Sequence, residues 1–172
     1  MIVALEKETL CHIFPLLEGK DILIIGGPAT GKTFLANELK TVFPLHTLIA
    51  TDDYLYHGGV ESLYKLMEDL EKFPSPRLIE GVQGYRLLRK GVQLDSYYPD
   101  VVLELFASPS QIEHIYTHER GIEKLKYVYG FNKMNTKILH EYFELLIEKR
   151  KEMPLWYKID NTFLHNNLSN VA

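Results

Sequence analysis

The chain has 172 residues, with a hydrophobic content of 46%, a charged content of 24% and a formal net charge of -4. That length suits a single α/β domain over 1–172 and is too short for two ordinary ones. The acidic balance disfavours a broad nucleic-acid-binding face, so the expected partner is a small molecule rather than a polyanion.

The lone cysteine, Cys11, cannot form an internal disulfide, and no stretch approaches the about 20 apolar residues that cross a bilayer. Glu6, Lys7 and Glu8 make the N-terminus a poor signal peptide. A cytoplasmic protein without membrane attachment is expected, and a homodimer is compatible with this.

Leu5, Leu10, Ile13, Phe14 and Leu17 recur near helical spacing before Gly19, which predicts a short helix over 4–17. The apolar run Ile22-Leu23-Ile24-Ile25 reads as a first buried strand. It leads into Gly26-Gly27-Pro28-Ala29-Thr30-Gly31-Lys32-Thr33, which matches the phosphate-binding P-loop pattern G-x-x-x-x-G-K-[ST] at every fixed position, and then into a helix-like run over 32–41. In a strand, glycine-rich loop and helix of this kind, backbone N–H groups converge on phosphates. These eight residues are the candidate nucleotide-binding set. Lys32 would reach the β- and γ-phosphates and the Thr33 hydroxyl would ligate the metal, so ATP and Mg²⁺ are the cofactors implied.

Pro44 ends that helix, and Thr47-Leu48-Ile49-Ala50-Thr51 reads as a second strand finishing on Asp52-Asp53. The C-terminal ends of strands are where α/β sheets keep their sites. A carboxylate there could take a proton from an acceptor hydroxyl or hold Mg²⁺ through water. Alternation at the strand end predicts that only one of the pair faces the nucleotide.

Gly58-Gly59 opens a helix carrying Val60, Leu63, Leu66, Met67 and Leu70, closed by Phe73-Pro74-Ser75-Pro76. Arg77 to Glu80 is a short third strand, a short helix follows around 85–89, and Val101 to Phe106 is the most apolar strand. Ser108-Pro109-Ser110 caps the next helix. The segment 118–135 is rich in Arg, Lys, Gly and Tyr with weak periodicity, which suits a phosphate-facing lid better than a core element. Thr136 to Glu152 reads as a long amphipathic helix, and Trp156 to Ile159 as a last strand. Strands alternating with helices imply a three-layer α/β fold, a five-stranded parallel sheet flanked by helices. The histidines have no cysteine partners, and His114 and His118, four apart, have only Glu113 nearby, so Mg²⁺ rather than zinc is the expected metal.

Thr51-Asp52-Asp53-Tyr54-Leu55-Tyr56, Leu78-Ile79-Glu80-Gly81-Val82 and Glu119-Arg120-Gly121 together resemble the corresponding segments of the uridine kinase, phosphoribulokinase and bacterial pantothenate kinase group of P-loop kinases. The resemblance implies a nucleoside-kinase-like P-loop fold and a Mg-ATP-dependent kinase acting on a hydroxyl of a nucleoside-like or vitamin-like acceptor. It implies Asp52 as general base. Glu80 would sit near Mg²⁺ and the acceptor, binding the metal through water or holding the acceptor hydroxyl. Arg120 would close over the phosphates, with Lys124 and Lys126 as weaker candidates. Lys158-Ile159-Asp160-Asn161-Thr162 resembles the last strand and loop of many small P-loop kinases, which edges the adenine.

The likeness stops at the acceptor. Ile115-Tyr116 stands where the family's lid carries an Arg-Asp pair, and the stretch from Asp53 to Glu80 is too short for the family's acceptor-binding hairpin. Asp53, Tyr54, Tyr56, His57, Gln83 and Arg86 remain as acceptor candidates. The aromatic rings could stack on a ligand and Arg86 could hold an anionic group, while Tyr64 reads as core packing. Two other readings stay open: a polynucleotide 5′-hydroxyl or toxin-type P-loop kinase, and a non-metabolic ATPase or nucleotide switch.

Overall fold

The computed structural model describes residues 2–4, 7–57 and 59–161, with side chains over 11–55 and 60–161. In chain order the elements are β1 (Ile2–Ala4), α1 (Lys7–Leu17), β2 (Ile22–Gly26), α2 (Lys32–Val42), β3 (Thr47–Ala50), a 3₁₀ segment (Thr51–His57), α3 (Gly59–Leu70) and β4 (Arg77–Glu80). Then come α4 (Gly84–Gln93), β5 (Val101–Phe106), α5 (Pro109–Ile115), a π turn (Tyr116–Arg120), a 3₁₀ turn (Ile122–Lys124), α6 (Leu125–Glu148) and β6 (Leu155–Asp160). All pairings are parallel, in the order β1-β6-β5-β2-β4-β3. The five strands expected from the apolar runs are all present. A sixth, β1, is added at the edge beside β6, where Ile2 pairs with Lys158. Three residues are too few to separate from the following helix by pattern.

Alternation along β2 divides the core. Ile22 and Ile24 face a cluster with Ile13 and Leu17 of α1 and Leu35, Ala36 and Leu39 of α2. Leu23 and Ile25 face the opposite cluster, built from Leu63, Leu66 and Leu70 of α3, Leu87 and Leu88 of α4, and Ile138, Tyr142 and Leu146 of α6. A strand buried on both faces must be apolar at consecutive positions, which is why these strands read as unbroken runs. The result is helices, sheet, helices. No described helix is long and apolar enough to cross a membrane.

At the N-terminal edge, Asp21 ties three strands together. Its carboxylate accepts from the backbone N–H of Arg77 (2.8 Å), from Arg77 Nη2 (2.7 Å) and from Ser75 Oγ (3.1 Å), and its own N–H donates to Asp100 Oδ2 (2.8 Å). Burial alone would raise the Asp21 pKa, but the hydrogen bonds and charge of Arg77 outweigh it and hold the carboxyl below its ordinary range.

The largest departure from expectation is the local structure of the segment expected as a lid. The segment 118–135 is not irregular: it is the end of the π turn, the 3₁₀ turn and the first half of α6, a single helix of 24 residues or about 36 Å. The buried stripe of α6 includes Val128, Asn135, Ile138, Tyr142 and Leu146, and Asn132 lies on the same stripe one turn after Val128. Two asparagines at inward positions interrupt the apolar period, and that interruption hid the helix from a hydrophobicity reading. The α4 helix also runs further than expected, to Gln93.

Candidate nucleotide-binding site

Strand order reverses about β2, with β4 and β3 on one side and β5 and β6 on the other. The loop leaving β2 therefore opens into the crevice where parallel α/β sheets bind ligands. Gly31 has φ +90°, a conformation that side chains with a Cβ rarely adopt, and it starts α2 without a side-chain cap. The first N–H groups of α2 and the positive end of its dipole thus point at the loop. Lys32 Nζ and Thr30 Oγ1 both donate to the Gly27 carbonyl, each at 2.8 Å, so the loop is folded on itself.

Lys32 is 7% exposed. Burial pushes its pKa down to about 8 against the opposing pull of the Glu80 and Asp52 carboxylates, and Arg120 lowers it further.

Glu80 ends β4 directly beside β2, paired with Ile24 in the register. It is 4% exposed. Burial first, and the nearby Asp52 carboxylate second, raise its pKa, while Lys32 and Thr33 pull the other way. Thr33 Oγ1 lies 3.3 Å from both Glu80 carboxylate oxygens. Asp52 reaches the same place from the 3₁₀ segment after β3, and Arg120 from the end of the π turn, its guanidinium 5.9 Å from the centre of the Tyr116 ring. Pro28 to Thr33 of the P-loop, Phe34, Asp52, Glu80, Val82 and Arg120 line one cavity of about 320 Å³. Four separate segments of chain thus bring the Lys32, Asp52, Glu80 and Arg120 side chains to one place.

The acceptor candidates fare differently. Asp53 is exposed and is not among the cavity residues. The Tyr54 hydroxyl donates to Asp69 Oδ2 of α3 at 3.1 Å and its ring packs against the core, with burial and Asp69 pushing the phenol up to about 12. Arg86 turns to α6, its Nη2 3.8 Å from Met134 Sδ. Tyr64 is a surface residue of α3 with Lys90 over its ring at 5.4 Å, not the core residue expected. The side chains of Tyr56 and His57, and all of Thr162, lie outside the described residues. Lys126 stacks over Tyr127 at 5.1 Å, and neither it nor Lys124 lines the cavity.

Phe34 and Val82 line the cavity without having been singled out from sequence. Each lies within two residues of one that was, Thr33 and Glu80, and that adjacency was the available signal. Asn161 is 1% exposed and neither of its amide atoms has a hydrogen-bond partner. It lies against the P-loop: a Cβ on Gly31 would sit 3.3 Å from its Nδ2. Gln83 is also buried, its backbone N–H donating to Thr51 Oγ1 at 3.3 Å and its Oε1 unpartnered.

The hydroxyl of Thr33 and the carboxylates of Glu80 and Asp52 are hard oxygen donors. They fit Mg²⁺, which takes one or two protein oxygens and completes its shell with water and phosphate. Among the described residues no group of three or more His, Cys, Asp or Glu is placed to hold a metal unaided.

A parallel sheet in this order, with a phosphate-loop motif leaving β2 and two carboxylates at neighbouring strand ends, defines a three-layer α/β domain with the P-loop arrangement. No family model matches the chain, and no curated protein matches it in sequence. Among solved structures it is similar to the YorR protein of Bacillus subtilis in complex with phosphorylated GDP, with 21% identity, 81% of this chain and 85% of that one covered, and a TM-score of 0.45. It is also similar to the thymidylate kinase of Candida albicans, with 14% identity, 90% and 92% covered, and a TM-score of 0.46.

Proposed function

We propose that the protein is a Mg-ATP-dependent kinase that transfers the γ-phosphate to a hydroxyl of a small molecule. The observation that carries this reading is the convergence of Asp52, Glu80 and Arg120 on the cavity that holds Lys32 and Thr33. A P-loop alone would serve any nucleotide-binding protein. A carboxylate facing the cavity from β3, opposite the phosphate loop, adds a base for an acceptor hydroxyl.

In this mechanism the loop N–H groups and Lys32 bind the β- and γ-phosphates, for which Lys32 exchanges the Gly27 carbonyl for phosphate oxygens. Thr33 and Glu80 would hold Mg²⁺, which offsets charge on the transferring phosphoryl group. Asp52 accepts the proton of the acceptor hydroxyl as that oxygen attacks the γ-phosphorus and the bond to the β,γ-bridging oxygen breaks, releasing ADP, and the Arg120 guanidinium stabilises the negative charge on the equatorial oxygens. The acceptor would enter between Asp52 and the end of β4, beside Glu80 and Val82. Its class is nucleoside-like or vitamin-like, following the resemblance to uridine kinases, and a cytoplasmic location is part of the same reading.

The test is an ADP-release screen against nucleosides, pantothenate-like alcohols and sugars, with Asp52→Asn as control. Loss of the base should lower transfer about 10²- to 10⁴-fold while leaving ATP binding largely intact. An Asp52→Asn variant that turns over at the wild-type rate would remove Asp52 from this role.

A further inference from the structure

Gly27 stands at a variable position of the phosphate-loop pattern, so phosphate binding does not require glycine there. A Cβ on Gly27 would lie 3.2 Å from Cγ and 3.5 Å from Nδ2 of Asn132, and closer still to its Oδ1, so a side chain there would have to displace the Asn132 carboxamide from its present rotamer. Asn132 belongs to the first half of α6. Two residues on, Ala29 holds φ +62°, a strained conformation for a residue with a Cβ, and packs against the small cluster of Ile112, Tyr116 and Val128. Tyr116 in turn lies beneath the Arg120 guanidinium. The loop that would hold the donor therefore meets α5, the π turn and the first half of α6 at two points, Gly27 and Ala29, through side chains rather than through the sheet. Asn132 is half-buried one turn after the buried Val128, where an apolar residue would bury more surface.

We propose that Asn132 is a positioning residue. It seats the first half of α6 on the P-loop at Gly27, so that the donor loop and the Arg120 segment shift as one body when a triphosphate binds. This rests on the reading of the P-loop as the donor site, whereas the Gly27–Asn132 contact stands on the geometry alone. Because Lys32 and Thr30 both hold the Gly27 carbonyl, release of Lys32 to phosphate changes the loop at the residue Asn132 touches.

The test uses the full chain with Mg-ATP as probe and the variants Gly27→Ala, Asn132→Ala and the double variant. Thermal unfolding without nucleotide should show Gly27→Ala destabilised and the double variant restored, since truncating Asn132 removes the atoms that the new Cβ meets. Overpacking of this kind should also weaken Mg-ATP binding by about 10- to 100-fold in Gly27→Ala, with recovery to within about threefold in the double variant. Hydrogen exchange supplies the readout that a merely structural role would not move. Mg-ATP should protect residues 116–126 in the wild type, and Asn132→Ala should still bind Mg-ATP without that protection. A double variant as impaired as Gly27→Ala would overturn the proposal, because the glycine would then be needed by the loop itself. So would wild-type protection persisting in Asn132→Ala. If the wild type binds no Mg-ATP, the donor reading falls, while unfolding of the single and double variants still decides the Gly27–Asn132 contact.

Discussion

Lys32→Met should make the nucleotide-free protein more stable. A lysine whose pKa falls from 10.5 to about 8 on folding costs the fold about 3 kcal/mol at neutral pH, because each tenfold change in proton affinity is about 1.4 kcal/mol. The shift already includes the attraction of Glu80 and Asp52, so burial wins even with both carboxylates beside it. Methionine fills a similar volume without charge. It forfeits the hydrogen bond to the Gly27 carbonyl, about 1 kcal/mol net, and Thr30 still satisfies that oxygen. About 2 kcal/mol of net stabilisation remains, or a rise of roughly 4–8 °C in melting temperature for a chain of this size. The sign with pH follows from a lysine pKa that is lowered by folding. The penalty is complete below pH 8 and is relieved as the pH rises from about 8 towards 10.5, so the advantage of the variant should shrink over that window. Thermal and urea unfolding at pH 7 and at pH 9.5, both without nucleotide, measure this directly. A Lys32→Met protein that is less stable than wild type at pH 7, or an advantage that stays constant with pH, would refute the account. The same variant should lose any stabilisation by Mg-ATP.

Two further outcomes follow from polar side chains, half-buried Asp21 and buried Asn161. Asp21→Asn should destabilise the fold by about 1.5–3 kcal/mol at pH 7, since it weakens charge-assisted bonds from Arg77 that join β4 to the start of β2. The Asp21 pKa is depressed, so its contribution is present above the unfolded carboxyl value and is lost as pH falls through the folded one. Urea midpoints of wild type and variant should converge in acid, and a gap that stays open would count against the ion pair. Asn161→Ala should leave the fold intact, as no hydrogen bond of its side chain is broken, and weaken donor binding by about 3- to 10-fold if the amide meets the nucleotide. Calorimetric titration with Mg-ATP reads that change, and unaltered affinity would confine Asn161 to packing against Gly31.

The strands were legible because a parallel sheet buried on both faces needs consecutive apolar residues, and Ile22–Ile25 and Val101–Phe106 advertise this without ambiguity. The P-loop was legible because backbone geometry around phosphate dictates its residues locally, from Gly26 to Thr33. Asp52 and Glu80 could be named from strand ends and from family likeness, but only the register of β4 beside β2 puts Glu80 against Thr33. The side-chain directions of the acceptor candidates were not legible. Tyr54 and Arg86 follow β3 and β4, yet Asp69 and Met134, distant in sequence, decide where their ends point. Asn132 and Asn135 broke the periodicity of α6 in the sequence, and only the packed structure shows the helix continuing through them, with the Asn132 side chain beside Gly27, more than a hundred residues away. Sequence by itself determined the elements whose residues answer to their own backbone or to the face they bury. Tertiary structure alone decided which side chains share the cavity, since that depends on strand order and on contacts that no local pattern records.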